Sequence, residues 1–313
     1  MSDLTYTVPP TRDGDTLQNF LRRDCGLSWR MVVKLKRVDG GMAIDGVSAR
    51  TIDRVRAGQT VTLRLPEDTV RIEPADLPLQ VVWEDDHLLV VNKPPYLAVH
   101  PSAGLPDPTL ANAVVGYYER KGETRSFRPV NRLDRNTSGL LMAAKNAHAT
   151  FAMAGRVQKD YLALVLGALT GAGTIDQPLR VREGSCITRE VGEGGKPSVT
   201  HWRALATNGA VTLVWLRLET GRTHQIRAHM AWLGYPLAGD TMYGTDETVL
   251  PRHGLHCYRM TFVHPLTGER VDLRVAPPDD MAAVIAAIPG AAEAVEELMK
   301  RQKNELGSPS GDR

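Results

Sequence analysis

The chain has 313 residues, of which 42% are hydrophobic and 24% are charged, and its net charge is +2. This composition favours one large core or two domains and excludes a mostly disordered protein. The sequence has no apolar stretch long enough to span a membrane and no signal-peptide pattern at its start, so we expect a soluble, cytoplasmic protein. Its three cysteines lie far apart without a CxxC pair, which indicates reduced thiols and neither a disulfide framework nor a zinc site.

Positive charge is concentrated near the N-terminus. Residues 1–66 carry eleven Lys and Arg against seven Asp and Glu, which leaves the rest of the chain net acidic. Two short helices are predicted over residues 15–25 and 28–38, with Ser28 as the N-cap of the second. The second helix has three cationic residues at helical spacing: Arg30, Lys34 and Arg37. An apolar stripe runs beside them, so the cationic face could contact a polyanion, although a solvated helix face has the same pattern.

Short strands follow these helices. One is predicted within residues 42–47, which end in an Asp-Gly turn, and another over residues 61–65, where Pro66 ends it. The segment resembles an S4 domain, an RNA-binding module of two helices followed by short strands, over residues 15–65. The resemblance rests on the cationic stripe and on two stretches, 37–46 and 55–61. It implies that residues 1–66 form an S4-like RNA-binding domain.

A change in composition separates this segment from the rest of the chain. Residues 67–78 combine prolines and acids without apolar periodicity, which is typical of a linker. Residues 79–285 are predicted to form an α+β domain on a mixed, largely antiparallel sheet, because strands outnumber helices and do not alternate regularly with them. Residues 286–313 are predicted to contain a last helix, over 291–306, and a disordered tail.

The predicted elements of the large domain follow from apolar runs and their flanking turn residues. The predicted strands are 79–83, 88–92, 139–144, 161–167, 199–206, 210–219, 256–264 and 270–275. The predicted helices are 109–118, 146–155 and 223–233. Asn146 and Thr223 are expected to be N-caps, and Gly234 is expected to stop the third helix.

Residues 130–141 contain the most informative pattern. There, Asp134 lies between two arginines in a turn-rich stretch directly before an apolar strand. A loop supported by a rigid strand is a suitable place for a reactive carboxylate. A solvated Asp-Arg pair has the same local sequence, so the local pattern does not separate the two interpretations.

A second cationic cluster lies in residues 218–230, where a strand ends and a helix is predicted to begin. Arg222, His224 and Arg227 lie near the free N–H groups of that helix start, so they could bind a phosphate or hold a carboxylate in its charged form. His224 and His229 are poor metal ligands, because a spacing of five turns them to different faces of a helix. No metal site is predicted.

Two strand ends carry further candidates. Tyr161 begins an apolar strand, where a core position is usual but a ring could also stack on a flipped-out base. Lys93 follows another strand in a rigid cationic turn.

The chain lacks GxxxxGK[ST], a GxGxxG after a strand and GxSxG, so nucleotide hydrolysis, dinucleotide redox chemistry and serine hydrolysis lack their usual motifs.

Taken in chain order, these blocks resemble the RluA family of pseudouridine synthases over residues 79–278. The matching pieces are Asn92-Lys93-Pro94, Arg132-Leu133-Asp134 with Thr137-Ser138-Gly139, Lys159-Asp160-Tyr161, residues 221–229, and Gly239-Asp240-Thr241-Met242-Tyr243-Gly244. One departure is Asn131, where the family usually has histidine. We expect it to adjust the loop without abolishing activity, because the acid remains.

The resemblance implies isomerisation of uridine within RNA: the bond from C1′ to N1 breaks, the uracil rotates, and C1′ rejoins it at C5. Asp134 would be the catalytic carboxylate, which either adds at C1′ or removes the proton at C2′, and both routes need it ionised. Arg227 would pair with Asp134 and hold it ionised, and Tyr161 would stack against the uracil. Arg132 would help to open the stem or hold the flipped nucleotide.

The remaining expectations concern binding and partners. Four residues are taken as further substrate contacts: Arg222, His224, Lys93 and Tyr243. The expected partner is RNA, with large-subunit ribosomal RNA favoured over transfer RNA because many S4-bearing relatives act there. We expect a monomer that needs neither a metal nor an organic cofactor, since the reaction has no redox change, group donor or net hydrolysis.

Two other functions fit parts of the sequence. A non-catalytic RNA-binding or ribosome-assembly protein would explain the cationic stripe without turnover. A glycosidase-like hydrolase would use Asp134 and Asp240 as paired carboxylates and would release free uracil.

Overall fold

The computed structural model describes residues 3–27, 29–64, 72–102, 108–244 and 248–300. Its N-terminal part is a four-stranded antiparallel sheet with the order β1-β4-β2-β3. The elements of this part are β1 (Asp3–Thr7), α1 (Leu17–Arg23), α2 (Trp29–Leu35), β2 (Met42–Ile44), β3 (Val47–Ser48) and β4 (Thr60–Arg64). β1 has no counterpart among the predicted strands, because its short run precedes any turn signal and gains its pairing from β4, almost sixty residues later.

Helix α2 differs from the prediction at its C-terminal end. It stops at Leu35, and the backbone then turns toward Gly41, where a side chain would come 2.2 Å from the Leu35 carbonyl oxygen. The predicted division of faces is present, since Lys34 and Arg37 are exposed whereas Leu35 is buried. Arg37 lies beyond the helix end. The predicted N-cap Ser28 and the side chain of Arg30 lie outside the described residues.

A larger sheet of nine strands dominates the rest of the described chain, with the order β5-β6-β7-β14-β8-β13-β12-β9 and β15 beside β14. Within the described ranges, β7 and β14 form its one parallel pair, which confirms the predicted α+β class with a mixed, largely antiparallel sheet. The elements are β5 (Val81–Glu84), β6 (Leu88–Lys93), α3 (Leu110–Arg120), β7 (Ser138–Ala144), α4 (Ala147–Met153), β8 (Gln158–Leu166), β9 (Ala172–Asp176), β10 (Leu179–Val181), β11 (Arg189–Val191), β12 (Val199–Thr207), β13 (Val211–Leu218), α5 (Gln225–Trp232), β14 (Leu255–Val263), β15 (Arg270–Arg274), α6 (Asp279–Ala286) and α7 (Ala291–Lys300).

Several elements depart from the predictions. The ribbon β10-β11, strand β9 and helix α6 are not predicted, because they are short and lack a clear apolar period. The predicted last helix is described as α7, and residues 301–313 lie outside the described chain. Part of the predicted linker contacts α3: the Ala75 amide donates to the Asn112 carbonyl at 3.0 Å. In the ranges that the structure covers, no helix is long and apolar enough to cross a membrane.

The two faces of the large sheet have different coverings. Adjacent residues of a strand point to opposite faces, so Tyr161 and Leu162 of β8 enter different cores. The core around Tyr161 includes residues of α3 and α5, whereas the core around Leu162 includes residues of α6 and α7. This division places the candidate site on the α5 side of the sheet.

Candidate active site

Asp134 lies on the loop that leads into β7, as the sequence predicts. Leu133 is buried and anchors the loop, and the Thr137 amide closes a turn by donating to the Asp134 carbonyl at 3.1 Å. The Asp134 side chain is about a quarter exposed. A rigid loop therefore presents one carboxylate to a ligand while limiting its freedom.

The predicted contact between Arg227 and Asp134 is confirmed: Nη1 of Arg227 donates to Oδ2 of Asp134 at 3.3 Å. The shorter bonds of Arg227 go elsewhere, because Nε and Nη2 donate to the two carboxylate oxygens of Asp240 at 2.7 and 2.8 Å. Burial alone would raise the pKa of Asp240, but the hydrogen bonds and charge of Arg227 lower it overall. Asp240 thus holds the guanidinium in place, and its buried, fully engaged oxygens do not suit the second acid of a hydrolase.

His224 and Tyr243 lie next to Asp134 and Arg227. The His224 Nε2 atom is 3.8 Å from Oδ2 of Asp134, and its Nδ1 is 3.1 Å from the Tyr243 hydroxyl. The Arg227 guanidinium lies 5.0 Å from the centre of the Tyr243 ring. Burial lowers the pKa of His224, which favours the neutral imidazole. The structure thus brings three predicted site residues, Arg227, His224 and Tyr243, together around the Asp134 carboxylate.

The start of α5 differs from the prediction. The N-cap is His224 rather than Thr223, and His224 has a left-handed backbone with φ of 56°. No side chain of the N-cap residue makes a capping hydrogen bond. The side chain of Gln225 makes a hydrogen bond at the helix start, where its Oε1 accepts from the Arg222 amide at 3.0 Å. This strained turn directs the His224 ring toward Asp134.

Tyr161 is almost fully buried beside the site. Burial raises its pKa well above the ordinary value, followed by the effects of the neighbouring Cys257 and of the charge on Asp134. Burial also raises the pKa of Cys257 to about 12, so the thiol stays protonated. Tyr161 therefore has a neutral ring and hydroxyl close enough to sense the Asp134 charge, as a stacking or positioning group requires.

Lys93 is buried, and this environment differs from that of the substrate-contacting residue that the sequence predicts. Its ammonium group is fully buried and donates to the carbonyls of Pro94, Leu97 and Arg135 at 2.8, 2.9 and 2.9 Å. Burial, helped by the positive charge of Arg252, lowers its pKa to about 7. This arrangement supports a positioning role, because Lys93 holds the carbonyl of Arg135, the residue after Asp134, rather than facing solvent.

A second buried cation holds the next peptide of the loop, and the sequence patterns do not single it out. Arg252 donates to the Asn136 carbonyl at 2.9 Å and forms a bidentate ion pair with Asp280 of α6 at 2.7 and 2.9 Å. The adjacent His253 contacts the Thr137 hydroxyl at 2.8 Å. Burial and the charge of Arg227 lower the pKa of His253 to about 3, so the ring is neutral. The sequence signal that could have indicated Arg252 is a polar, cationic turn directly before β14, the same pattern that precedes β7.

Two further features define the loop. Asn131, the departure from the family pattern, accepts from the Met142 amide at 2.8 Å and donates to the Leu140 carbonyl at 3.5 Å, so it ties the loop to β7. Gly139 has φ of 110°, and a side chain there would lie 2.3 Å from the Cys257 carbonyl oxygen. The parallel contact of β7 with β14 therefore requires glycine at this position.

Arg132 and Arg222 are exposed, and among the described contacts neither touches Asp134. Arg132 lies near His100, whose pKa falls through burial and then through this positive charge. Arg222 donates to the Pro197 carbonyl at 3.3 Å. Their positions leave both guanidinium groups accessible to a nucleic acid, consistent with contacts outside the immediate site.

Comparison with known proteins agrees with this geometry. The family model of RNA pseudouridylate synthase matches residues 87–232. A ribosomal large subunit pseudouridine synthase D of Vibrio parahaemolyticus is 36% identical over 306 residues, which cover 91% of this chain and 94% of that protein. An uncharacterized RNA pseudouridine synthase of Bacillus subtilis is 37% identical over 272 residues, which cover 84% of this chain and 95% of that protein.

Among solved structures, human RNA pseudouridylate synthase domain containing 1 matches with a TM-score of 0.56 and 28% identity, over 77% of this chain and all of that chain. The fold, the ordered motifs and the relatives thus lead to one assignment. The chain belongs to the RluA family of RNA pseudouridine synthases, enzymes that isomerise uridine within RNA.

Proposed function

We propose that this enzyme forms pseudouridine in large-subunit ribosomal RNA and that Asp134 is its catalytic carboxylate. The names of the relatives support the RNA class, since several are ribosomal large subunit pseudouridine synthase D proteins. One observation supports the residue: Asp134 is a partly exposed carboxylate next to Arg227, a guanidinium whose orientation a second, buried carboxylate holds.

The proposed reaction begins with a flipped-out uridine beside Asp134. Either an Asp134 oxygen adds at C1′ as N1 leaves with the bonding electrons, or the carboxylate removes the C2′ proton as the same bond breaks. The uracil then turns and C5 bonds to C1′. This step releases the Asp134 carboxylate from C1′ in the first route, and in the second route Asp134 returns the proton to C2′. C5 then loses its proton and N1 gains one. Arg227 donates to Oδ2 of Asp134 and so holds that oxygen in place beside the ribose.

Tyr161 and His224 have supporting roles in this proposal. The buried Tyr161 ring offers a flat apolar surface for the uracil while it turns, and stacking of this kind is worth about 1–3 kcal/mol per base. Neutral His224 supplies a hydrogen-bonding edge near Oδ2 of Asp134.

Substitution Asp134→Asn tests the proposal, because it removes the negative charge and keeps the shape. We expect unchanged affinity for a large-subunit ribosomal RNA transcript and no release of tritium from RNA containing 5-tritiated uridine. Tritium release at the wild-type rate would contradict the role of Asp134. Binding by the wild type without any tritium release would instead favour the non-catalytic RNA-binding alternative.

The target is tested separately by mapping carbodiimide-dependent reverse-transcription stops in RNA from cells with and without the protein. A stop in large-subunit ribosomal RNA that disappears with the gene is expected. A stop that disappears only from transfer RNA would reject the proposed target and keep the proposed chemistry.

We also propose that the N-terminal part, which resembles an S4 domain, holds the RNA. The exposed side chains of Lys34 and Arg37 support this, because they lie beside buried Leu35 and thus form a cationic surface that is not needed for packing. Phosphate contacts by such groups give affinity without base specificity. Choice of uridine would then depend on RNA shape.

A further inference from the structure

A pocket of about 360 Å³ opens on the face of the large sheet opposite to Asp134. Two consecutive residues of β8 point to the two faces of the sheet. Tyr161 points toward the candidate site, and Asp160 lines the pocket. None of the groups assigned to the isomerisation lines this pocket. The isomerisation therefore does not account for the groups that line this pocket.

Charged groups form the floor of the pocket. Arg217 makes a bidentate ion pair with Asp160 at 2.7 and 2.8 Å, and Arg259 lies 3.6 Å from the same carboxylate. Arg259 also pairs with Asp272, which in turn accepts from Arg274 at 3.0 Å. The side chains of Arg259 and Arg274 are 11% and 3% exposed, so the ion pairs are largely shielded from water. Within the described residues, two carboxylates thus pair with three guanidinium groups.

A fourth guanidinium lies at the wall. Arg203 of β12 faces Trp215 of β13 across the strand pair, and its guanidinium is 5.8 Å from the centre of the indole ring. Arg217, two residues further along β13, contacts the same ring at 5.0 Å. Among the described residues, Arg203 has no carboxylate partner, and its side chain is exposed. Among the described residues that line the pocket, four are arginines and one, Asp160, is a carboxylate.

We propose that this pocket binds a phosphate group of RNA, at a site separate from the one that binds the uridine. Among the described residues, the guanidinium fork of Arg203 has no carboxylate partner and matches phosphate oxygens. The largely buried Arg259 and Arg274 add positive charge that water screens less than that of surface cations. The Trp215–Arg203 stack adds a flat surface next to the phosphate position, as in sites for unpaired nucleotides. The inference rests on the proposed function only in taking RNA as the source of the phosphate; a free nucleotide carries the same group.

Arg203→Gln tests the site, because among the residues that the structure describes Arg203 has no ion pair to lose and its removal leaves no carboxylate there unpaired. We expect the Kd for a large-subunit ribosomal RNA transcript to rise by about three- to tenfold at low salt. The slope of log affinity against log salt concentration should fall by about 1, because one phosphate is no longer neutralised. Arg203→Lys keeps the charge but not the fork, so it should retain most of the slope and part of the affinity.

The matched control is Arg120→Gln, which removes an exposed arginine of α3 near β5, at the other end of the strand order. It should keep the wild-type Kd and slope.

Inorganic pyrophosphate and UMP, titrated by calorimetry into the full chain, separate the two sources of phosphate without using the isomerisation. Binding of UMP that Arg203→Gln abolishes would support a phosphate site open to free nucleotides. Loss of affinity for the transcript alone would support an RNA backbone site.

Equal behaviour of Arg203→Gln and Arg120→Gln with the transcript, pyrophosphate and UMP would overturn the proposal. That result is distinct from a failure of the proposed function, because pseudouridine formation is measured by tritium release and does not enter these titrations. Circular dichroism of each variant verifies that the fold is intact before the affinities are compared.

Discussion

Arg227 forms its bidentate ion pair with Asp240, at 2.7 and 2.8 Å, and donates only one longer bond, at 3.3 Å, to Asp134. The guanidinium is therefore oriented by a carboxylate that never meets the solvent. Asp134 receives a donor whose position is set before a substrate arrives, which limits the reorganisation needed during the reaction.

Substitution Asp240→Asn should harm both stability and activity. It leaves the buried Arg227 without its countercharge, so we expect a loss of about 3–5 kcal/mol in the free energy of unfolding. The loosened guanidinium should also lower kcat. Urea unfolding and tritium release measure the two effects. If Asp240 were instead a second acid, chemistry would be lost while the free energy of unfolding stayed near the wild-type value.

Asp280→Asn tests whether α6 positions the catalytic loop through Arg252. Loss of this ion pair frees the guanidinium that holds the Asn136 carbonyl, so we expect a kcat roughly 10- to 100-fold lower with unchanged RNA affinity. Asp279→Asn is the control, because it removes the same charge from the exposed neighbouring position of the first turn. Equal kcat values for the two variants would show that the loop does not depend on Arg252.

The stability of the chain should depend on pH through Lys93. Its pKa is about 7 in the folded chain against an ordinary value of 10.5, so the unfolded chain binds more protons between these limits. The free energy of unfolding of the wild type should therefore rise, relative to Lys93→Met, by at most about 1.4 kcal/mol per pH unit between pH 7 and 9. Below pH 7 the difference should level off.

Urea titrations at several pH values measure this difference, and the exposed Lys300→Met is the control for loss of a surface charge. If the difference in the free energy of unfolding between wild type and Lys93→Met stays constant from pH 6 to 9, Lys93 does not titrate in this range.

Removing the exposed N-terminal cations should weaken RNA binding without slowing chemistry. For the double variant Lys34→Gln, Arg37→Gln we expect a weaker affinity and a salt slope reduced by about 1 for each phosphate that the variant no longer neutralises. At saturating RNA, kcat should match the wild type, since both residues lie on the small N-terminal unit. Filter binding over a salt series provides the measurement. If the slope of log affinity against log salt concentration equals that of Arg120→Gln, Lys34 and Arg37 do not contact the RNA.

Local patterns were sufficient for much of the architecture. The apolar runs predict most strands of the large sheet, and Asn146 caps α4 as expected, with its side chain accepting from the Ala149 amide at 2.8 Å. These features depend on residues close in sequence, so they are visible in a single chain. The short strand β1 and helix α6 are stabilised chiefly by distant partners, and periodicity alone does not indicate them.

The sequence by itself determined the α+β class, the loop that carries Asp134 and, through ordered motifs, the family and the contact with Arg227. Only the tertiary structure decided which cations face the substrate and which hold the loop. Lys93 and Arg222 look alike in sequence, yet one is buried among three carbonyls and the other is exposed. Burial and partner choice depend on contacts between residues far apart in the chain, and those contacts exist only once the strands have paired.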